Sequence, residues 1–390
     1  MTFARTFSVW LLFALLFAPL GTSLSANAAD QKTVTFAEPA VTDAVRHKLG
    51  ISNRPLLKDD LKRLESLDLS GLGIKSLSGL EHAVNLKVLH AKNNAITDLS
   101  PLAGLTQIAE LNLDNNAIRS INPLAGFKRL RVIQANGNRI QDLSPVAGWE
   151  EILALSMGEN RIKSLEPLRS LTKLKGLWVP DNAITDVSVL RTQPQLKILV
   201  LSSNPISDFS ALTALPDIVD LALQDLRLTT IDMIEHMREL ERLNLRDNTI
   251  ESIAPLRLLT RLEWVDLREN LITDLTPLGD HPALSKLFLA QNRVRDIGPL
   301  TRLQALAWLT LDGNRITSID GLDDLPSLTA LSLTNNLIGD NNWPQTAQVL
   351  DALTAQVRQL YFAPQSNMSI YQPVPGKPAG PDPDKEALSD

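Results

Sequence analysis

Apolar residues return at a fixed spacing over most of this 390-residue chain. The pattern Leu-x-x-Leu-x-Leu-x-x-Asn-x-Ile begins at Leu64 and recurs every 22 residues, without a slip, until Leu328. The thirteen copies, which we number as repeats one to thirteen, start at Leu64, Leu86, Ile108, Leu130, Ile152, Leu174, Leu196, Ile218, Leu240, Leu262, Leu284, Leu306 and Leu328. A period this strict predicts a solenoid in which each repeat packs only against its neighbours.

Each repeat combines a strand pattern with a turn pattern. The fourth and sixth positions, as in Leu111 and Leu113, alternate with other residues, which predicts a strand that points both leucines to one face. Asp, Ser or Thr occupies the thirteenth position of every repeat and Pro the sixteenth of seven, which predicts a short helical turn. One repeat holds about seven aliphatic side chains, each stabilising by roughly 1.5 to 3 kcal/mol when buried. It can bury them only against other repeats, so no single copy could fold.

Asparagine occupies the ninth position of eleven repeats. A turn beside a buried strand leaves backbone donors and acceptors unpaired, and a side-chain amide can pair with both kinds. We therefore predict a structural Asn ladder formed by Asn94, Asn116, Asn138, Asn160, Asn182, Asn204, Asn248, Asn270, Asn292, Asn314 and Asn336. Repeat eight departs from the pattern, with Leu226 in the Asn position and Met233 where Pro would lie. This indicates either an irregular repeat with an aliphatic filling the space, or a local change of curvature.

The repeats resemble the 22-residue leucine-rich repeats of the internalin family, whose signature reads NxIxDLxPLxxLxxLxxLxL, and the resemblance runs from about residue 33 to 345. The segment before them resembles an internalin-type helical cap, with Pro39 opening a helix, Gly50 ending it and a second short helix over 58–63. The resemblance implies an α/β solenoid: a leucine-rich repeat horseshoe with a concave parallel β-sheet, convex 3-10 turns and a helical N-terminal cap. It also implies protein binding, and it offers no catalytic residues.

The ends of the chain carry different patterns. Arg5, an apolar run from Phe7 to Leu20 and the small-residue site Ala26-Asn27-Ala28 predict a secretory signal peptide, since fourteen apolar residues interrupted by Pro19 are short for a membrane anchor. Near the other end, apolar residues at helical spacing predict a capping helix, and six prolines after it predict disorder. The predicted organisation is a signal peptide over 1–28, an N-terminal cap over 29–63, the solenoid over 64–343, a C-terminal cap helix over 344–363 and a disordered tail over 364–390.

Composition narrows the location and the chemistry. The chain has no cysteine, which excludes disulfides, a thiol nucleophile, a cysteine zinc site and a lipidated cysteine. Without residues 1–28 it has 37 basic and 44 acidic residues, a net charge of −7, which argues against nucleic acid as a partner. No LPxTG signal follows the repeats. We expect a bacterial protein, secreted or periplasmic, neither lipidated nor sortase-anchored, without a transmembrane segment after cleavage and without a cofactor or metal.

The third, fifth and seventh positions of each repeat alternate with the core leucines and should face outward from the sheet. In repeats nine to twelve these positions bring charged and aromatic residues together, and such side chains are frequent at binding hot spots. The predicted partner-binding residues are Arg242, Arg246, Trp264, Asp266, Arg268, Lys286, Phe288, Trp308 and Asp312, with Trp178 apart from them in repeat six. The alternative is that these side chains only pack against one another, with Arg stacked on Trp as an internal cation–π pair.

Enzymatic function finds little support in the sequence. The five histidines, His47, His82, His90, His236 and His281, occupy unrelated repeat positions, and the chain has no HExxH, G-x-S-x-G or phosphate-binding glycine loop. Asp247, Asp266 and Asp312 fit solvated charges on a binding face better than acid–base groups. We predict a non-enzymatic module that recognises a protein of a host or of its own envelope through the concave face. The alternative is a carbohydrate or cell-wall glycan bound by the same aromatic patch.

Overall fold

One parallel β-sheet runs through the repeats. The computed structural model describes residues 33–339 and 343–363, and within them fourteen strands follow one another in chain order, each hydrogen-bonded to the next. The strands are β1 Ser66–Asp68, β2 Val88–His90, β3 Glu110–Asn112, β4 Val132–Gln134, β5 Ala154–Ser156, β6 Gly176–Trp178, β7 Ile198–Val200, β8 Asp220–Ala222, β9 Arg242–Asn244, β10 Trp264–Asp266, β11 Lys286–Phe288, β12 Trp308–Thr310, β13 Ala330–Ser332 and β14 Gln359–Tyr361. This confirms the predicted leucine-rich repeat solenoid.

The register places equal positions of successive repeats side by side. Trp264 lies opposite Arg242 on one neighbouring strand and opposite Lys286 on the other. The same relation holds for every pair from β1 to β13, because each repeat has the same length. A residue type repeated at one position therefore forms a row across the sheet.

Short 3-10 turns return the chain on the convex side. They cover Leu80–His82, Ser100–Leu102, Asn122–Leu124, Ser144–Gly148, Glu166–Ser170, Ser188–Thr192, Ser210–Ala214, Asp232–Ile234, Ala254–Leu258, Thr276–Leu278 and Gly298–Arg302. The thirteenth position explains where they begin: Asp98 Oδ1 accepts the Ser100 N–H at 2.8 Å, and Asp274 does the same for Thr276. Proline fits directly after this bond because its φ is already helical.

The core lies between the sheet and these turns and is almost wholly aliphatic. Leu111 and Leu113 of repeat three are fully buried, as are the equivalent residues of the other regular repeats. Larger or polar residues are part of the core at the twentieth position of some repeats. Trp149 is one of them, and its Nε1–H donates to the Leu124 carbonyl of the preceding repeat at 2.9 Å. Each repeat thus depends on its neighbours both for apolar burial and for hydrogen bonds.

The eleven asparagines of the ninth position share one set of hydrogen bonds. Each Nδ2 donates to carbonyls of its own and the preceding repeat, and each Oδ1 accepts an N–H of the preceding repeat. Asn270 is typical: its Nδ2 donates to Leu245 at 2.9 Å, and its Oδ1 accepts the Ile250 N–H at 3.0 Å. The side chains thereby satisfy backbone groups that the turn would leave unpaired.

The row of asparagines is interrupted at repeat eight. Leu226 has no amide, so the Ile206 N–H donates to the Asn204 carbonyl at 2.9 Å instead of to a side chain in repeat eight. Asn248 in repeat nine then accepts both the Leu226 N–H, at 3.1 Å, and the Leu228 N–H, at 2.9 Å. The regular bonds resume from there.

Helices close the two ends of the solenoid. At the N-terminal end, α1 spans Pro39–Leu49, and Gly50 ends it in the left-handed region with φ 66°. The second helix, α2, covers Lys58–Leu61 and is therefore two residues shorter than predicted, because the chain turns towards β1. At the C-terminal end, α3 spans Trp343–Gln356.

The segment predicted as one helix over 344–363 is divided in the structure. After α3 the chain forms β14, which pairs with β13 in the register Leu331 to Leu360. The open edge of β13 offers a row of backbone donors and acceptors, and pairing with it satisfies more backbone groups than another helical turn would. The cap is thus a helix followed by a strand.

The predicted signal peptide and proline-rich tail lie outside the described residues. Among the residues that are described, none of the helices has the length and apolar character needed to cross a membrane.

Candidate binding surface on the concave face

The strands turn three side chains per repeat towards the concave side of the sheet. Because Leu243 and Leu245 point into the core, their neighbours Arg242, Asn244 and Arg246 point the other way. The third, fifth and seventh positions of all repeats therefore share one continuous face, which we call the concave face.

The aromatic residues predicted as a patch do form a row. The ring centroids of Trp264 and Phe288 are 5.6 Å apart and tilted by 52°, and those of Phe288 and Trp308 are 6.4 Å apart. The Arg242 guanidinium lies 5.3 Å from the Trp264 ring centroid, and Arg268 lies at the same distance from Phe288. These five residues form what we call the aromatic–cation patch.

Part of this patch is covered by its own members. Trp264 is 7% exposed and Phe288 1%, while Asp266 and Arg268 are 1% and 8% exposed. Arg268 Nη2 lies 2.7 Å from Asp266 Oδ2 in a buried ion pair. These four side chains make the internal packing that was the alternative interpretation of the sequence, so they offer little surface to a partner.

The other predicted residues differ in how accessible they are. Arg242, Arg246, Lys286 and Trp308 remain partly exposed, and Arg246 pairs with Glu269 at 2.5 Å. Asp312 is partly exposed too, but its carboxylate accepts bonds from the hydroxyls of Ser332 and Thr334. The Asp312 carboxylate therefore makes hydrogen bonds to repeat thirteen within the protein.

Trp178 belongs to a second group of side chains, which the sequence pattern did not predict as a group. It clusters with the buried residues Ala154, Val200 and Ala222, and the half-buried Val132 and Ile198 pack against them. We call these six residues the apolar platform. The sequence did contain a signal for it, because the third position reads Val, Ala, Gly and Ile in repeats four to seven, where most other repeats have polar or charged residues.

A missing side chain shapes the platform. A Cβ placed on Gly176 would lie 2.3 Å from Cη2 of Trp178, well inside contact distance. The six-membered ring of the indole therefore lies against Gly176, where a residue with a side chain would displace it.

One carboxylate lies between the two groups of side chains. Asp220 is on β8 beside the platform, and its Oδ2 lies 3.6 Å from Nε of Arg242 in the aromatic–cation patch. Burial raises the pKa of Asp220 to about 6, and the nearby Arg242 only partly offsets this. The centre of the concave face thus holds a carboxylate that is costly to ionise.

The N-terminal part of the concave face is polar. His90 and Glu110 are 2.9 Å apart, and the hydrogen bond to Glu110 raises the pKa of His90. Asn112 Nδ2 of repeat three donates to Gln134 Oε1 of repeat four at 2.6 Å. From the first repeats to the last, the face therefore changes from polar to apolar to aromatic and cationic.

The described residues contain no cluster of three or more His, Asp or Glu side chains placed to hold a metal ion. The histidines make separate contacts: both ring nitrogens of His281, for example, lie near carbonyl oxygens, those of Leu278 and Leu256.

Comparisons with known proteins agree with this architecture. A family model described as "Leucine Rich repeats (2 copies)" matches residues 84–126, and one described as "Leucine rich repeat" matches residues 282–338. Comparison with curated proteins gave no match.

Solved structures are similar to this chain over most of its length. An internalin from Listeria monocytogenes, InlF, is 28% identical with a TM-score of 0.78, and the match covers 85% of this chain and 96% of that one. The functional domain of InlJ, also from Listeria monocytogenes, is 20% identical with a TM-score of 0.62 over 85% and 82% of the chains. The plant peptide hormone receptor RGFR1, in complex with RGF2, is 20% identical with a TM-score of 0.60 over 75% and 50%.

The 22-residue period, the single parallel sheet with its 3-10 turns, the two family models and the likeness to InlF together show a leucine-rich repeat protein whose solenoid is similar to that of an internalin.

Proposed function

We propose that the protein is a non-enzymatic binding module, secreted or periplasmic, that recognises a partner protein through its concave face. The observation that carries this proposal is the uninterrupted concave face itself, which places the apolar platform next to the aromatic–cation patch. The N-terminal sequence pattern supports export.

The size of the face suits a protein. From β4 to β12 there are eight strand spacings, which amount to about 38 Å at about 4.8 Å each. An interface of standard size buries about 800 Å² on each partner. The platform and the patch together therefore match the footprint of a protein domain better than that of a single small ligand.

The chemistry of the exposed positions fits a protein partner as well. Partly exposed side chains lie next to buried neighbours there, namely those of Arg242, Arg246, Lys286 and Trp308. Val132 and Ile198 present aliphatic surface at the platform. Apolar contacts surrounded by arginine and tryptophan are typical of binding hot spots.

The fold supports this proposal too. The plant receptor matched above is seen in complex with RGF2, so the same fold holds a partner in that protein. At this level of identity the likeness supports the architecture, and the choice of partner depends on this chain's own side chains.

A pull-down with residues 29–390, from bacterial envelope extract and from host-cell surface extract, tests the proposal. We expect Ile198→Lys at the platform and Lys286→Glu, which lies beside the patch between Trp264 and Trp308, each to weaken capture of the partner by at least about tenfold, a loss of about 1.4 kcal/mol. The matched controls are Leu258→Lys and Arg257→Glu, two exposed positions in a convex 3-10 turn. A partner that both concave variants still retain would contradict the proposal.

Salt dependence and a further variant at Trp308 address a glycan as the alternative ligand. The faces of Trp264 and Phe288 are largely covered, which leaves Trp308 as the accessible ring of the row for stacking on a sugar. A charged protein interface should weaken as salt rises, whereas stacking on a neutral glycan should not. Salt-insensitive binding to a glycan array that Trp308→Ala abolishes would favour the glycan.

A further inference from the structure

The interruption at repeat eight leaves backbone groups unpaired. In the regular repeats the N–H of the tenth position donates to the carbonyl of the eleventh position of the preceding repeat, as Thr249 does to Leu228 at 2.9 Å. Within the described part of the chain, the Arg227 N–H and the Ile206 carbonyl make no such bond. Arg227 has φ 56°, a conformation that redirects its amide and that L-residues with long side chains seldom adopt.

The backbone of the preceding repeat adds to this gap. The tenth position of repeat seven is Pro205, which has no N–H to donate to Ile184. Repeats seven and eight therefore both lack the bond that elsewhere joins the tenth position to the eleventh position of the preceding repeat. The loss follows from the sequence of the two turns, since one lacks a donor and the other lacks the asparagine that would orient it.

A cavity opens where these bonds are missing. Its volume is about 760 Å³, and its lining includes Ile206, Phe209, Leu228 and Met233 as well as several Ser and Thr residues. Phe209 is partly exposed there, whereas the equivalent Val187 and Ile231 of the neighbouring repeats are fully buried. A partly exposed apolar ring thus lines the same cavity as Arg227 and Ile206, the two residues whose backbone groups lack the regular bond.

We propose that this cavity is a second binding site, separate from the concave face, for an extended peptide segment of a partner protein. An extended chain presents a carbonyl and an N–H close together, which is what the Arg227 N–H and the Ile206 carbonyl require. An apolar side chain of the peptide would pack against Phe209 and Met233. Asp225 and Arg227 bring one charge of each sign to the lining, so an uncharged apolar peptide suits it.

The site does not depend on the proposed function of the concave face. The residues that line the cavity follow β7 and β8 in their repeats, and none of them occupies the third, fifth or seventh position. A substitution on the concave face should therefore leave peptide binding in the cavity unchanged.

The first test examines the free protein by amide hydrogen exchange. We expect the Arg227 amide to exchange at least about tenfold faster than the paired Thr249 amide. The variant Leu226→Asn restores the asparagine of the regular repeat and should slow exchange at Arg227 by at least about tenfold. Equal exchange at Arg227 and Thr249 in the natural protein would overturn the proposal.

The second test supplies peptides. A displayed library of short random peptides is selected on residues 29–390 and counter-selected on Leu226→Asn. We expect apolar peptides that lose at least about tenfold in affinity on Phe209→Ala, keep their affinity on Ile198→Lys and slow amide exchange at Arg227. If Leu226→Asn does not fold, counter-selection on Phe209→Ala takes its place. Selected peptides that bind Phe209→Ala equally, or no enriched peptide at all, would overturn the proposal.

Discussion

Asn270 illustrates how a single side chain organises one turn of the solenoid. It is 4% exposed, donates from Nδ2 to Leu245 and Leu267, and accepts the Ile250 N–H at Oδ1. The Asn amide has two N–H donors and a carbonyl acceptor, so one side chain can pair with several carbonyls and an N–H at once. The surrounding backbone groups thus depend on the Asn270 amide for their hydrogen bonds.

Removing this amide should destabilise the protein. We expect Asn270→Ala to lower the free energy of unfolding by roughly 1 to 3 kcal/mol, because it leaves buried backbone groups without partners. Denaturant unfolding followed by circular dichroism measures the change. The exposed Asn122 serves as the control, and its replacement by Ala should cost less than about 0.5 kcal/mol. Equal curves for both variants would contradict the structural role of the ladder.

Gly176 and Trp178 are a second example at the scale of residues, because the indole can occupy its position only if residue 176 has no side chain. We expect Gly176→Ala to destabilise by roughly 1 to 3 kcal/mol, because the added methyl group would overlap the indole. In the background of Trp178→Ala the same change should cost much less, and a double-mutant cycle measures the difference.

Gly126→Ala is the matched control for this cycle. A Cβ at Gly126 meets no atom within 4 Å and its backbone is not in the left-handed region, so the substitution should be nearly neutral. If Gly176→Ala cost the same with and without Trp178, the close approach of ring and backbone would not be the cause.

At the scale of elements, the neighbouring strands β8 and β9 set the properties of Asp220. The pKa of this carboxyl is raised by burial from 3.8 to about 6, so the folded state holds its proton more tightly than the unfolded state. The associated stability is fully present below about pH 4 and is lost as the pH rises through about 6. Above that pH the ionised group costs about 2 to 3 kcal/mol.

We therefore expect Asp220→Asn to change the pH dependence of stability. The variant should match the natural protein near pH 4 and exceed it at pH 7.5, by about 2 to 3 kcal/mol, because it has no charge to bury. Urea unfolding at the two pH values gives both numbers. The exposed Asp324→Asn serves as a control and should leave the pH profile unchanged. Parallel profiles for Asp220→Asn and the natural protein would be inconsistent with a costly charge at this position.

The ends of the solenoid show where sequence patterns were sufficient at this scale and where they were not. Pro39 and Gly50 mark the first helix because their backbone preferences are local. The last strand, Gln359–Tyr361, was missed because its formation depends on the free edge of β13. Residues 350–360 carry apolar side chains at helical spacing, but the pairing partner lies about 29 residues earlier, outside any local pattern.

At the scale of the whole molecule, the concave face follows directly from the repeat. Its membership could be predicted because alternation within each strand assigns the third, fifth and seventh positions to one side. Its accessibility could not, and the ten residues predicted as a binding site fall into three groups. Some are buried in internal contacts, some remain partly exposed, and Trp178 lies in the apolar platform.

The sequence by itself determined the architecture: the number of repeats, their register and the position of the Asn ladder. These follow from the period alone, because a 22-residue copy can bury its leucines only against a neighbouring copy of the same length. Tertiary structure decided which concave side chains a partner can reach and that a cavity opens beside Leu226. Both depend on distances between side chains and turns of different repeats, such as the 5.6 Å between Trp264 and Phe288, which spacing along a chain does not contain.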